Sequence, residues 1–224
     1  MDTISYDDFL SRMKSQWKLG EHIGVIAPTG GGKTWIVRDL LNLKRHAVVV
    51  ATKAKDKTLT LYEKEDGYKN YEKWPPDYLH THVLLWKKPK QLGDYAEQQA
   101  LIYLLMNDLY KRGGYALYFD DLYYVSETLK LKRPLQMLYT QVRSNGVSIL
   151  ASMQRPAWVP LEAVSQATYI ILFRIRSRVD IERAADGMGI DRRELIAAIA
   201  ELEEFEFLLL ENGQAPIHVE KREM

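Results

Sequence analysis

Eight consecutive residues, Ala27, Pro28, Thr29, Gly30, Gly31, Gly32, Lys33 and Thr34, stand between a short apolar run and a segment of helical spacing. Three adjacent glycines let successive backbone N–H groups turn inward around an anion. A helix that starts near Lys33 adds its N-terminal dipole to the same point. A lysine there reaches the β- and γ-phosphates of a nucleotide, and a threonine hydroxyl ligates the accompanying magnesium. The usual pattern is GxxxxGK[ST], and Ala27 takes the place of its first glycine. An alanine is tolerated if that position keeps an ordinary backbone conformation. A glycine-rich turn between a strand and a helix needs no ligand, but strand, loop and helix occur here in the order that phosphate binding requires.

A second constellation is Asp120-Asp121, which follows the apolar run Tyr115 to Phe119. An acid at the C-terminal edge of a strand sits where α/β sheets bind ligands. Asp120 is therefore expected to organise the Mg2+ together with Thr34, and Asp121 to position or deprotonate the attacking water. Two acids before a helix also suit N-capping. A small-molecule kinase shares the loop, so these residues alone leave the class open.

The elements that must hold these groups are legible in outline. Ser5 to Trp17 reads as an amphipathic helix, with Ser5 as N-cap, Asp8 three residues on, and Phe9, Leu10, Met13 and Trp17 on one face. Buried strands are expected at His22–Ala27, Ala47–Ala51, Val83–Trp86, Tyr115–Phe119, Val147–Ser152 and Tyr169–Phe173. Helices are expected at Lys33–Leu43, Asp94–Arg112, Pro134–Ser144, Asp180–Asp186 and Arg192–Glu201, with Asn145-Gly146 a left-handed stop. Phe205–Leu210 and Ile217–Val219 read as a closing hairpin. Residues 52 to 81 mix lysines with Tyr62, Tyr68, Tyr71 and Trp74, and read as a loop-rich insertion with one short helix. Strands alternating with helices imply an α/β fold with a mostly parallel sheet wrapped on both faces.

The chain has 224 residues, 46% of them apolar, which suffices for one sizeable core. A net charge of +1 excludes a uniformly basic nucleic-acid binder but not local basic loops. Without cysteine, disulfides and thiolate metal sites are excluded. The five histidines show no ligand spacing. No apolar run approaches a membrane span, and the N-terminus lacks a signal-peptide pattern, so a cytoplasmic protein is expected.

Beyond the acidic pair, Arg143-Ser-Asn-Gly146-Val-Ser-Ile-Leu-Ala-Ser-Met-Gln154-Arg155-Pro156 resembles the stretch of FtsK/HerA-type ATPases that reads approximately R-x-x-G-h-x-h-h-h-x-x-Q-R-P. The resemblance extends over about residues 20 to 220, including the closing strands. It implies a RecA-like (ASCE) P-loop NTPase core, ATP and Mg2+ as cofactors, and Gln154 near the γ-phosphate. It also implies that Arg143 is a finger inserted into a neighbouring subunit's site. Arg155 would be a second interface or phosphate arginine. Read from the residues alone, Gln154 caps a loop and Arg143 suits a helix C-terminus. Family members pair Asp with Glu where this chain has Asp120-Asp121, which leaves Glu127 or another acid as an alternative partner for the water.

Being compact, the chain resembles most the genome-packaging ATPases of double-stranded DNA viruses. The resemblance implies a homo-oligomeric ring, pentamer or hexamer, that moves double-stranded DNA, with a capsid portal or vertex as its docking partner in host cytoplasm or virion. A cellular translocase or helicase of the same superfamily, a small-molecule phosphotransferase and a non-catalytic scaffold are the alternatives. Lys130, Lys132 and Arg133 are the first candidates for sequence-blind phosphate contacts. The segment from Lys53 to Lys73 and the run Trp86 to Lys90 are further candidates, and Arg174, Arg176 and Arg178 suit a subunit interface. Residues 1–224 are expected to form a single ATPase domain, with an N-terminal helix in 1–20 and a motor core in 21–220 that ends in the C-terminal hairpin.

Overall fold

A computed structural model describes residues 1–76, 81–89, 91, 93 and 95–222. The chain opens with β1 (Asp2–Ile4) and α1 (Tyr6–Gln16). Ser5 starts that helix as expected: its Oγ accepts the Asp8 amide at 3.1 Å and donates to the Asp8 carboxylate at 2.7 Å. β2 (His22–Ile26) leads into α2 (Lys33–Asn42), and β3 (Ala47–Ala51) is followed by α3 (Leu59–Lys64), β4 (Lys69–Tyr71) and β5 (His82–Trp86). Next come α4 (Ala96–Arg112), β6 (Ala116–Phe119), a π-helical turn (Tyr124–Thr128), α5 (Lys132–Gln141) and β7 (Ser148–Met153). α6 (Glu162–Ser165), β8 (Ala167–Phe173), α7 (Arg178–Met188), α8 (Arg192–Glu201), β9 (Phe207–Glu211) and β10 (Ile217–Val219) complete the chain.

All ten strands form one sheet in the order β1-β10-β9-β8-β2-β7-β6-β3-β5-β4. From β8 to β4 every pairing is parallel, whereas β9 runs antiparallel to both β8 and β10. β2, β3, β6 and β7 are buried on both faces, which is why they read as unbroken apolar runs rather than alternating ones. Alternate residues feed two cores. Val48 and Val50 of β3 pack with Leu105, Leu109, Leu135 and Leu138 on one side, and Val49 with Phe9, Ile36, Leu40 and Tyr62 on the other. Helices thus cover both faces of a mostly parallel sheet, as expected.

Several expectations need correction. Residues 1–20 hold β1 as well as the helix, and Thr3 of β1 is in register with His218 of β10. A three-residue strand with mostly exposed side chains carries no apolar pattern to announce it. The 52–81 segment contains β4 in addition to its short helix, and β4 pairs with β5. Tyr62 and Tyr68 of that segment are buried with their rings 5.2 Å apart. Arg38 clamps the end of α3 through Asp66 at 2.6 Å and Glu65 at 2.7 Å. The expected Pro134–Ser144 helix starts two residues earlier, since proline is tolerated in a first turn, and ends in a 3-10 turn (Val142–Asn145) stopped by left-handed Gly146 (φ 69°). The proposed helix start at Asp94 lies outside the described residues, as does Lys90.

Candidate active site

Parallel strands deliver their C-terminal ends to one edge of the sheet, and the chain places its reactive groups there. β2 ends at the glycine loop, β3 at Lys53, β6 at Asp120 and β7 at Gln154. These four ends open on one cavity of about 880 Å³, whose lining includes Gly30 to Thr34, Lys53, Asp56, Asp120, Asp121 and Gln154.

The loop has the conformation its glycines allow. Gly30 (φ 80°) and Gly32 (φ 90°) occupy left-handed backbone that L side chains avoid. A Cβ on Gly31 would lie 3.2 Å from the Pro28 carbonyl oxygen and 3.3 Å from the Ala27 Cβ. Among described non-glycine residues only Lys130 and Phe205 have positive φ, so Ala27 keeps ordinary backbone and its substitution for glycine is accommodated. α2 begins with no side-chain cap and no acid in its first turn, leaving its N-terminal amides to an incoming anion. Lys33 folds back, its Nζ donating to the carbonyls of Ala27 (3.0 Å) and Pro28 (2.7 Å). Burial pushes the Lys33 pKa down, with Asp120 pulling part of the way back.

Asp120 is held in a nearly closed niche, its side chain 9% exposed. The Tyr118 hydroxyl donates to its Oδ1 at 3.3 Å and is itself paired with Ser152 Oγ at 2.8 Å. Oδ2 is buried without a hydrogen bond, and the Lys53 ammonium lies 3.3 Å from it. Burial raises the Asp120 pKa, and the Lys53 charge offsets this only in part. Burial alone would lower the Lys53 pKa, yet the carboxylates of Asp120 and Asp56 raise it. A buried carboxylate oxygen lacking a hydrogen bond fits a divalent cation. Among the described residues no three His, Asp or Glu side chains gather as a ligand set, so such a cation would draw its remaining ligands from Thr34, phosphate and water.

The other expected residues divide. Asp121 lines the cavity, but its Oδ1 accepts the Tyr124 amide at 3.0 Å and caps the π-helical turn. Gln154 Oε1 accepts the Thr29 hydroxyl at 3.3 Å, tying the tip of β7 to the loop. Arg155 is anchored by its Nε to Asp180 at 2.5 Å and lies over the Trp158 ring at 4.3 Å. Glu127 does not line the cavity; it pairs with Lys132 at 3.3 Å. Arg143 is not brought to this site. It is exposed and precedes β7, whereas the cavity lies beyond the strand's end, roughly 17 Å further at the usual rise for six residues.

Lys130 lies between the π-helical turn and α5, Lys132 and Arg133 open α5, and all three are exposed. Two of them occupy the first turn of a helix that has no acid there and no side-chain cap, an arrangement that leaves amides and cations facing outward. Lys132 is paired with Glu127 at 3.3 Å, and the other lysine-rich candidates are engaged as well. Lys87 pairs with Glu97 at 2.8 Å, the Lys88 ammonium lies over the Trp86 ring at 4.5 Å, and Lys53 belongs to the cavity. Arg178 pairs with Glu182 at 2.9 Å, while Arg174 lines a smaller cavity beside the loop.

Sequence reasoning missed three groups. Lys53 and Asp56 were submerged in a lysine-rich stretch, although a polar residue just past a buried parallel strand is a signal in itself. An aromatic rim, Trp35, Phe173, Phe205 and Phe207 with Tyr6 and Arg222, borders one side of the cavity. Tyr123 and Trp158, rings 5.8 Å apart and both exposed, border it as well. Their partners are remote in sequence, so no local pattern groups them.

The sequence matches no family model and no curated protein. Solved structures do match. The genome-packaging NTPase B204 from Sulfolobus turreted icosahedral virus 2, in complex with AMPPCP, superposes with a TM-score of 0.67 at 16% identity, covering 91% of this chain and 99% of that one. B204, the DNA-packaging ATPase from Sulfolobus turreted icosahedral virus, gives 0.66 at 15% identity over 92% and 100%. VirB4 of Thermoanaerobacter pseudethanolicus gives 0.64 at 10% identity over 91% and 89%. Across nearly its whole length, then, this chain has the α/β P-loop fold of these three structures.

Proposed function

We propose that this chain hydrolyses ATP to move double-stranded DNA, working as a homo-oligomeric ring, pentamer or hexamer, in viral genome packaging. The observation that carries the nucleotide half is the single cavity where uncapped α2 amides, Lys33 and the underserved Asp120 carboxylate converge. The DNA half is supported by the fold shared with packaging ATPases and by the exposed Lys130, Lys132, Arg133 cluster. A docking partner at a capsid portal or vertex belongs to the same proposal.

In this scheme the loop amides and Lys33 hold the β- and γ-phosphates, Lys33 leaving its two carbonyls to do so. Thr34 and Asp120 would hold the magnesium, which would neutralise phosphate charge when bound. Asp121 keeps one oxygen for the water while the other caps the turn. Gln154, hydrogen-bonded to Thr29, senses the phosphate end of the cavity. The α-phosphate would lie beside Thr34 and Trp35, which directs the base toward the aromatic rim at Trp35 and Phe205. Arg143 lies too far from its own cavity to act there, in keeping with a finger supplied to the neighbouring subunit, where a guanidinium stabilises charge in the transition state.

The test is steady-state ATP turnover with and without double-stranded DNA. Stimulation several-fold, falling with salt as phosphate contacts are screened, is expected. Turnover indifferent to DNA, but dependent on a small phosphate acceptor, would replace the motor with a phosphotransferase.

A further inference from the structure

The cation beside Asp120 in this structure is a lysine. Lys53 reaches Asp120 Oδ2 at 3.3 Å and Asp56 Oδ2 at 2.9 Å, so one ammonium bridges two carboxylates at the place assigned to the metal. The two ends of the Lys53–Asp120 pair differ in what they need. Asp120 is enclosed, whereas the Lys53 side chain is 50% exposed and loses little on leaving. Its backbone, by contrast, is fixed: the Trp86 indole donates to the Lys53 carbonyl at 2.7 Å, and Gln98 donates to the neighbouring Thr52 carbonyl at 3.0 Å. Motion is thereby confined to a flexible four-carbon side chain that already lines the nucleotide cavity.

From this geometry we infer that Lys53 is a tethered stand-in for the metal, which leaves Asp120 when a metal–nucleotide complex binds and passes to the terminal phosphate. The inference rests on the nucleotide function proposed above and adds a residue to it. A divalent cation held by Asp120 repels an ammonium a few ångströms away, by an amount worth about a tenfold change in affinity or more at such distances. Asp56 is itself held in place, its Oδ1 accepting the Thr58 amide and hydroxyl at 2.9 and 2.6 Å, so it stays where it is when the lysine leaves Asp120. The γ-phosphate supplies the negative charge that Lys53 gives up. ADP does not, so Lys53 distinguishes the two nucleotides by having a second partner only in the triphosphate state.

Three measurements test this. Binding of Mn2+ to nucleotide-free protein, read by electron paramagnetic resonance, should tighten about tenfold in Lys53→Met, because the resident cation is gone. The same variant should bind ADP with metal more tightly than the parent, because the resident cation no longer competes, while its preference for ATP over ADP falls about tenfold, with Lys53→Arg intermediate. On the unaltered protein, reductive methylation followed by mass spectrometry should find Lys53 most reactive with ADP and Mg2+, and protected both without nucleotide and with a non-hydrolysable ATP analogue and Mg2+. This last readout needs no variant to fold. Equal Lys53 reactivity in all three states, or an unchanged Mn2+ affinity and ATP-over-ADP preference in Lys53→Met, overturns the inference while leaving the nucleotide site intact. A parent protein that binds no nucleotide at all overturns the proposed function instead.

Discussion

Replacing Asp120 with asparagine keeps the shape of the side chain and removes its charge, and the two consequences run in opposite directions. In the nucleotide-free protein the carboxylate is buried, its Oδ2 lacks a hydrogen bond, and its pKa is raised by burial against only partial help from Lys53. A buried group so poorly served costs about 1–2 kcal/mol, which the neutral amide avoids. Lys53 loses a partner but keeps Asp56 at 2.9 Å, so little is given back. Asp120→Asn should therefore melt higher than the parent, by roughly 2–8 °C for a chain of this size. The pH dependence has a definite sign. A carboxylate whose pKa is raised on folding opposes stability in full above that folded value, and the opposition fades as the pH falls from there to the unfolded carboxylate value, so the difference between variant and parent should shrink over that interval. With nucleotide the order reverses. ATP and Mg2+ at a hundred times the dissociation constant stabilise the parent by about 2.7 kcal/mol, and the variant should lose the magnesium-dependent part of that gain. Scanning calorimetry of both proteins, with and without Mg2+ and a non-hydrolysable ATP analogue, reads all of this. A variant that melts lower than the parent without nucleotide, or that keeps the full magnesium-dependent gain, would refute the assignment of Asp120.

Other outcomes follow from other sites. Lys33→Ala should lower ATP turnover by about 10²-fold or more, as loss of one preorganised charge contact does, with no loss of fold by circular dichroism. Arg143→Ala should leave the melting temperature almost unchanged, because the side chain is exposed, yet lose most turnover; mixing it with Lys33→Ala protein should restore some activity if the arginine acts in the neighbouring site. Asp180→Ala removes a buried acid that accepts Arg155 Nε at 2.5 Å and the Ala157 amide at 3.0 Å, and should cost about 2–3 kcal/mol in urea unfolding. His22 is buried and neutral, donating through Nε2 to the Tyr139 carbonyl and accepting the Ile149 amide at Nδ1, with burial pushing its pKa down to about 4. A histidine whose pKa falls on folding stabilises above the unfolded value near 6.5 and loses that contribution, about 3 kcal/mol, as the pH drops toward 4. His22→Gln, which can make both hydrogen bonds, should flatten the parent's loss of stability over that interval.

Much of this architecture was legible because obligatory residue types announce it. Phosphate binding needs glycines, a lysine and a hydroxyl in fixed order, so the Ala27 to Thr34 loop could be read directly, and buried parallel strands such as Ala47–Ala51 declare themselves as apolar runs. The cap at Ser5 and the helix Arg192–Glu201 were local enough to place to the residue. What escaped depends on spatial order. That Lys53 faces Asp120 follows from β3 lying beside β6, an adjacency no local pattern contains. β1 and β4 are short and largely exposed, so pairing rather than hydrophobicity makes them strands. The acidic pair illustrates both sides: the cap weighed for it is made by Asp121, which accepts the Tyr124 amide, while Asp120 is enclosed beside Lys53, an environment no local pattern announces.

The claim that this chain is a DNA motor is tested most directly by displacement of a third strand from a triplex carried on linear double-stranded DNA. Wild-type protein with ATP and Mg2+ should release the strand at a rate that tracks hydrolysis. Lys33→Ala protein, and wild-type protein with a non-hydrolysable analogue, should bind the duplex and release nothing. Active hydrolysis that leaves the triplex intact, at protein concentrations sufficient to assemble on the DNA, would contradict translocation.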